Sequence, residues 1–315
     1  MSSGQERILR RRIRSIKSTE QLTRAMDLIS ASQIVRAKAR IQASRPYVAG
    51  IERVLAITAS DVASSPIRGV PADPRRVAVV AIVADRGLCG AYNSNVLRAT
   101  NRLLRAGEAE GRVFTLITVG RRAQRFFRFH GRQIARSFVK MTDRPTYEDA
   151  RRVAGEIVGP FLAGQVDLVQ LVSTRFHSAG RQLVEVSQLL PLAPGEPATH
   201  GDGPGTATSR PEGFYDFEPA AADLLAVLVP RFAEAVLFRA LLEAAASEHT
   251  ARQRAMSAAA DNADELATTL NRLMNRIRQD AITTEIMDVV GGAEALRRTV
   301  GAGGSEVLTG SSSEE

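Results

Sequence analysis

An α/β central domain plus a long antiparallel two-helix coiled coil, formed by the N- and C-terminal helices, is the fold this sequence predicts. Three observations point to it. Residues 7–59 contain no proline except Pro46 and no glycine except Gly50. The sixty residues from Arg231 to Val290 contain neither. Between these ends, short β-branched runs alternate with stretches of helical periodicity, which is the pattern of βαβ units.

The N-terminal helix is expected within residues 1–62. Its apolar residues recur at helical spacing: Ile13 and Ile16, then Leu22, Met26 and Ile29, then Ile34, Ala37 and Ile41, then Ile51 and Leu55. Arg45-Pro46 can kink such a helix without ending it. Some fifty residues at about 1.5 Å each span roughly 75 Å, too long for one globular domain.

The C-terminal region, 214–296, repeats the pattern. Met256, Ala259, Ala263, Leu266, Leu270, Leu273 and Ile277 are spaced alternately by three and four, a heptad seam. Glu234, Glu243, Glu248, Asp261, Asp264 and Glu265 fall mostly off it. Pro230 stands where a proline suits a helix start, and Gly291-Gly292 is expected to stop the helix. Helices from opposite chain ends can pair once the middle turns back. The seam is rich in alanine, and the N-terminal stripe carries Thr23, Ser30 and Gln33, so the coil is thin. Beyond Ile277 the heptad fails at Asp280 and Thr284. A single helix is expected there, with Ile282, Ile286, Val289 and Val290 needing cover from another chain.

The middle, 75–190, reads as α/β. Strands are expected at Val77–Ala84, Val113–Val119 and Val166–Ser173, with Gln182–Leu190 as a further one. Helices are expected near Asn95–Ala106, Arg121–Phe129 and Tyr147–Leu162. Residues 191–213, rich in Pro, Gly, Ser and Thr, read as a flexible loop, and 297–315 as a disordered tail.

Composition narrows the classes. The 315 residues are 44% apolar and 24% charged, ordinary for a folded chain. The longest apolar run, Val77–Ala84, is far shorter than the roughly 20 residues a membrane helix needs. The basic start has no apolar segment behind it, so no secretory signal is expected. A lone cysteine, Cys89, excludes a disulfide framework and a cysteine-built zinc site, and a reducing compartment follows as the default. The formal charge is +8, and residues 1–53 alone hold twelve Lys and Arg against four Asp and Glu. A basic end on a neutral body suggests an acidic partner, nucleic acid or protein, or else a solvated helical face.

A search for chemistry finds little. None of the three lysines, Lys17, Lys38 and Lys140, stands in a phosphate-binding P-loop, and no G-x-G-x-x-G follows a strand. The nearest feature is Asp85-Arg86-Gly87-Leu88-Cys89-Gly90-Ala91-Tyr92-Asn93 after the first strand. It could hold an anion at a helix start, but the plainer reading is a tight turn with Asn93 or Asn95 as helix cap. His130, His177, His200 and His249 share no metal-ligand spacing and read as surface or loop residues. Cys89 reads as a buried structural thiol rather than a nucleophile. No catalytic, cofactor-binding or metal-binding residue is assigned.

Taken together, several strings resemble the gamma subunit of bacterial F-type ATP synthase. They are Arg12-Ile13-Arg14-Ser15-Ile16-Lys17-Ser18-Thr19 continuing to Thr23-Arg24-Ala25-Met26, Arg45-Pro46-Tyr47, Asp85 to Asn93, Gly120-Arg121-Arg122 and Tyr215-Asp216-Phe217-Glu218-Pro219. The most specific lie at the end: Ala246-Ser247-Glu248, Ala255-Met256, Asp261-Asn262-Ala263, Arg278-Gln279, Ile282-Thr283, Glu285-Ile286 and Gly291-Gly292-Ala293. The resemblance runs from about residue 7 to residue 296.

That resemblance implies a central rotor shaft, not itself an enzyme and without a cofactor, standing among three alpha and three beta subunits. Its foot would sit against the epsilon subunit and the membrane c-ring, peripherally on the cytoplasmic face of the bacterial plasma membrane. No nucleic acid is expected as partner, and catalysis would lie on the beta subunits. By motif match, Lys17, Arg24, Met26, Arg86, Cys89, Arg278, Gln279 and Thr283 would contact beta subunits. The 191–213 loop and the tail depart from the family pattern. Two other readings remain: a nucleic-acid-binding coiled-coil arm on an α/β domain, and an α/β enzyme that binds nucleotide at the Asp85–Asn93 loop.

Overall fold

The computed structural model describes residues 2–61, 73–191, 218 and 220–303. In chain order the elements are α1 (Ser2–Asp61), β1 (Arg76–Ile82), α2 (Tyr92–Ala109), β2 (Val113–Val119), α3 (Arg121–Phe129), β3 (Arg136–Phe138), α4 (Tyr147–Leu162), β4 (Leu168–Phe176), β5 (Gln182–Leu190) and α5 (Ala221–Gly303). The chain divides into two compact units, residues 25–257 and residues 1–24 with 258–315.

The unit of residues 25–257 is built on a sheet of order β3-β2-β1-β4-β5. Its first four strands are parallel, and β5 runs antiparallel to β4. Strand alternation sorts β1 into two layers. Val77, Val79, Ala81 and Val83 face α2 and α3 through Val96, Leu97, Leu104, Ala123 and Phe127. Ala78, Val80 and Ile82 face α4 and parts of α1 and α5 through Val153, Ile157, Leu55, Phe232 and Leu237. A right-handed crossover puts successive helices on one face until the strand order reverses, which explains why α4 leaves the side that α2 and α3 share. Helix α4 opens with a capping box in which Thr146 and Asp149 satisfy each other's backbone N–H.

Within this unit α1 and α5 pack antiparallel. Ala37 and Ile41 meet Leu242 and Ala246, and further along α1 Glu52 pairs at 3.3 Å with Arg239, earlier on α5. Pro46 lies inside α1 without ending it.

The other unit contains only helix among its described residues. Ile13 and Thr23 are buried on α1; Ala260, Ala263, Ala267 and Leu270 are buried on α5. This corrects the phase of the expected seam. Ala263 and Leu270 belong to it, but Ala260 and Ala267 replace Ala259 and Leu266, and Leu266 and Leu273 are 46% and 44% exposed. Alanines at 260, 263 and 267 let backbones approach closely, with Leu270 buried beyond them. The buried Thr23 hydroxyl donates to the carbonyls of Thr19 and Glu20 within its own helix. Ser30, in the first unit, does the same to Met26. Polar residues therefore enter the stripe without unmet hydrogen bonds.

Several boundaries differ from expectation. Helix α5 starts at Ala221, nine residues before Pro230, which lies inside it. Burial of Leu225, Val229, Phe232 and Ala233 holds the helix through the proline. Its far end passes Gly291 and Gly292 and reaches Gly303. Glycine weakens a helix by about 1 kcal/mol but does not end one without a left-handed cap. Residues 297–303 are thus helical rather than part of a disordered tail; 304–315 and nearly all of the 191–213 loop lie outside the described residues. Strand β3 has no counterpart among the expected strands, because Arg136-Ser137-Phe138 carries no apolar run.

Candidate functional site

Two sets of residues resemble a partner-binding surface: the loop after β1, and exposed positions on the terminal helices. The loop is fixed from both sides. Ala84 N–H donates to Asn93 Oδ1 at 2.9 Å, and Asn93 Nδ2 donates to the Arg86 carbonyl at 3.2 Å. Asn93 therefore ties the loop closed from inside α2; neither it nor Asn95 is the helix cap, a place held by Ala91. Asp85 accepts from the backbone N–H of Arg121 at 3.0 Å and from that of Thr142 at 3.3 Å, and its own N–H donates to the Thr142 hydroxyl at 3.0 Å. Burial raises the Asp85 carboxyl, but the backbone N–H groups of Lys140, Arg121 and Thr142 and the Thr142 hydroxyl outweigh it and hold it below its usual range.

Beyond Asp85 the backbone enters the left-handed region at Leu88 (φ 61°) and Gly90 (φ 54°). Leu88 is not glycine, so this conformation costs free energy that the surrounding contacts must supply. Its side chain is 61% exposed, while Cys89 beside it is 2% exposed. Cys89 packs with Ala84, Tyr92 and Ala251.

The loop's other support comes from α5. Arg252 donates to the Gly87 carbonyl at 3.4 Å and pairs with Glu248 one turn earlier. Glu248 is 1% exposed and its Oε2 has no hydrogen-bond partner. Burial pushes the Glu248 carboxyl up, and Arg252 opposes that push. Burial, then the charge of Glu248, also raises the Cys89 thiol and the Tyr92 phenol. His249, expected at the surface, is buried; its Nε2 lies 3.3 Å from the Asp143 carbonyl, and burial lowers its pKa. His130 is exposed, His177 is half-buried, and His200 lies outside the described residues. In doubly wound sheets, ligands sit at the carboxyl ends of the strands where the order reverses. Here α5 packs against the loop that leaves β1 at that point.

The residues singled out by motif fall in different places. Arg86 and Cys89 share the loop, but only Arg86 is exposed, so the buried Cys89 thiol cannot itself touch a partner. Met26 is half-buried on α1 in the same unit. Lys17, Arg24, Arg278, Gln279 and Thr283 belong to the two-helix unit, and all five are exposed. Arg24 pairs with Glu20 at 2.9 Å, and the Thr283 hydroxyl donates to the Gln279 carbonyl at 2.9 Å. Further along α5, Ile282, Ile286, Met287, Val289 and Val290 are 49–67% exposed. The buried trio Glu248, His249 and Arg252 escapes a reading of the sequence for sites. Its sequence signals are the family string that ends in Glu248 and the i, i+4 spacing of Glu248 and Arg252.

The sequence matches the ATP synthase family over residues 5–296. An ATP synthase gamma chain of Frankia casuarinae is 44% identical over 299 residues, covering 93% of this chain and 98% of its own. That of Streptomyces coelicolor is 41% identical, covering 93% and 96%. Among solved structures, a chain of the Euglena gracilis mitochondrial ATP synthase superposes with TM-score 0.64 at 18% identity, covering 99% of this chain and all of that one. A central-stalk chain of the Tetrahymena thermophila enzyme gives 0.57 at 20%, covering 76% and 99%; these two support the fold. With relatives this similar over nearly their whole length, the chain belongs to the ATP synthase gamma chain family.

Proposed function

We propose that this chain is the central rotor shaft of an F-type ATP synthase, coupling proton-driven rotation of a membrane c-ring to ATP synthesis or hydrolysis on beta subunits. The observation that carries the reading is the distal part of α5. A run of apolar side chains there is about half exposed or more, in a chain whose family builds ATP synthase. Such a helix in water is unfavourable at about 25 cal/mol per Å² of apolar surface, and a sleeve of three alpha and three beta subunits would cover it.

An asymmetric shaft touches three chemically identical beta subunits differently. Each orientation favours a different conformer of each site, so rotation changes nucleotide affinities by differential contact. Lys17 and Arg24, with the arginines of residues 7–14, would face acidic beta loops. Arg278, Gln279 and Thr283 would contact beta loops further along the shaft. Near Met26, the loop after β1 would present Arg86 and Leu88, with Cys89 packing it from behind. Its attachment to α5 through Arg252 and Gly87 lets loop and helix move together, as torque transmission requires. Catalysis falls to the beta subunits. The foot meets the epsilon subunit and the c-ring, which holds the chain at the cytoplasmic face of the plasma membrane.

The test mixes the purified chain with its own organism's alpha and beta subunits, nucleotide and Mg²⁺, and reads size and ATPase rate together. The proposal expects one copy per three alpha and three beta, hydrolysing ATP far faster than the parts, and impaired coupling or assembly when the chain is cut at Ile277. Absence of such a complex, with salt-steep binding of RNA or DNA instead, would overturn it.

A further inference from the structure

The near-neutral charge of the chain beyond residue 53 hides a second basic surface. Helices α2 and α3 share one face of the sheet, opposite the layer of α4, α1 and α5. Residues 92–132 contain nine arginines and only two acidic residues, Glu108 and Glu110. Both acids are spent locally, Glu108 on Arg132 and Glu110 on Arg112. Arg98, Arg102 and Arg105 follow one stripe of α2, and Arg122, Arg125 and Arg128 one stripe of α3; all six are exposed. Among the described residues none of these six pairs with a carboxylate.

At the end of α3 stands Phe129, 87% exposed, the most exposed of the large apolar side chains described. The Glu108–Arg132 pair ties the C-terminal ends of α2 and α3 together, so Arg105, Arg128 and Phe129 collect at one edge of the layer. The surface along this stripe of α2 is formed by Arg98, Asn101, Arg102, Arg105 and Ala106. A protein partner would ask for an apolar patch around the aromatic residue. A single protruding phenylalanine among arginines instead matches a fluid interface, where rings enter the acyl boundary and guanidinium groups stay with the headgroups.

We propose that the edge where α2 and α3 end docks on an anionic phospholipid surface, with Arg105, Arg125 and Arg128 at the phosphates and Phe129 inserted in the interface. The inference rests on the rotor reading above, which brings the chain beside a membrane ring. Each arginine held near such a surface raises partition roughly fivefold, and an isolated Phe adds apolar burial that does not screen with salt.

The chain has no tryptophan, so Phe129→Trp in the full-length protein places the sole indole reporter at the proposed contact. It is mixed with vesicles of about one part phosphatidylglycerol to three parts phosphatidylcholine, and with phosphatidylcholine alone. The proposal expects a blue shift and quenching by brominated acyl chains with the first vesicles and neither with the second. Adding Arg125→Glu and Arg128→Glu should weaken partition about tenfold or more, and Arg125→Gln with Arg128→Gln should weaken it in the same direction. Reversing Arg11 and Arg12 to Glu on the basic N-terminal helix should leave the shift in place. A chain that sediments with vesicles while the indole emission stays unshifted would overturn the proposal, as would a shift produced only by single-stranded nucleic acid or an acidic protein. Assembly of the Phe129→Trp protein and of its Arg125 and Arg128 variants with alpha and beta subunits reports on the rotor reading separately. Normal assembly without a lipid shift sinks this inference alone.

Discussion

Replacing Arg252 with methionine removes the cation paired with Glu248 in the core while keeping most of the side-chain volume. Arg252 and Glu248 side chains are 7% and 1% exposed, so little solvent is available to take over the cation's part. Breaking a buried pair by deleting one partner typically costs about 3–5 kcal/mol. In a unit of this size that lowers the midpoint of thermal unfolding by roughly 6–20 °C. Protonation limits the cost. Burial already raises the Glu248 carboxyl, and loss of Arg252 raises it further. A carboxyl whose folded pKa lies above its unfolded one lowers stability as pH rises from the unfolded value through the folded one. The deficit of Arg252→Met should therefore shrink on acidification and grow toward neutral pH. Arg252→Met with Glu248→Gln should be more stable than the single variant at neutral pH. The assay is thermal unfolding of the full chain followed by circular dichroism across that range. A single variant with the pH profile of the wild type, or a double variant no more stable than the single, would refute the reasoning.

Three further outcomes follow from other parts of the fold. Gly120 has φ 98°, and a Cβ there would collide with the Val83 carbonyl oxygen, so Gly120→Ala should cost about 1–3 kcal/mol or more in denaturant unfolding. Ala267→Leu should destabilise the helix pair by about 1–3 kcal/mol through overpacking. Leu266→Ala, at a half-exposed position, should change the isolated chain little and lower ATPase stimulation in the assembled complex. If the original heptad phase were right, these two stability effects would be reversed. Asp85 has a folded pKa held below its unfolded one, so its stabilisation is present above the unfolded value and lost as pH falls through the folded one. The stability gap between wild type and Asp85→Asn should accordingly close in acid, as urea midpoints at a series of pH values would show.

Local signals carried much of the fold. The residues read as strands at Val113–Val119 and Gln182–Leu190, and as helices at Arg121–Phe129 and Tyr147–Leu162, are those of β2, β5, α3 and α4. Apolar runs and helical periodicity act within a few residues, so a linear reading finds them. The failures are non-local. The start of α5 depends on core packing around Val229 and Phe232, which overrides the usual place of a proline. The seam phase depends on how closely two helices approach, and alternating threes and fours fit either phase. The support of Gly87 by Arg252 spans 165 positions, and nothing in either string announces it. The arginines of α2 and α3 were invisible because charges summed along the chain cancelled, whereas the sheet gathers them on one face. The Asp85–Asn93 string was legible as a motif and Cys89 within it as a buried thiol, but that the loop presents Arg86 and Leu88 was not.

The most direct test of the central claim is to watch the shaft turn. Cys89 is buried, so an added cysteine in Arg105→Cys, at an exposed position, can be labelled selectively before assembly with alpha and beta subunits fixed to a surface. The account predicts that ATP hydrolysis drives the attached bead in one direction, pausing at three positions per turn, one for each beta subunit. A complex that hydrolyses ATP while the bead only fluctuates about one orientation would contradict it.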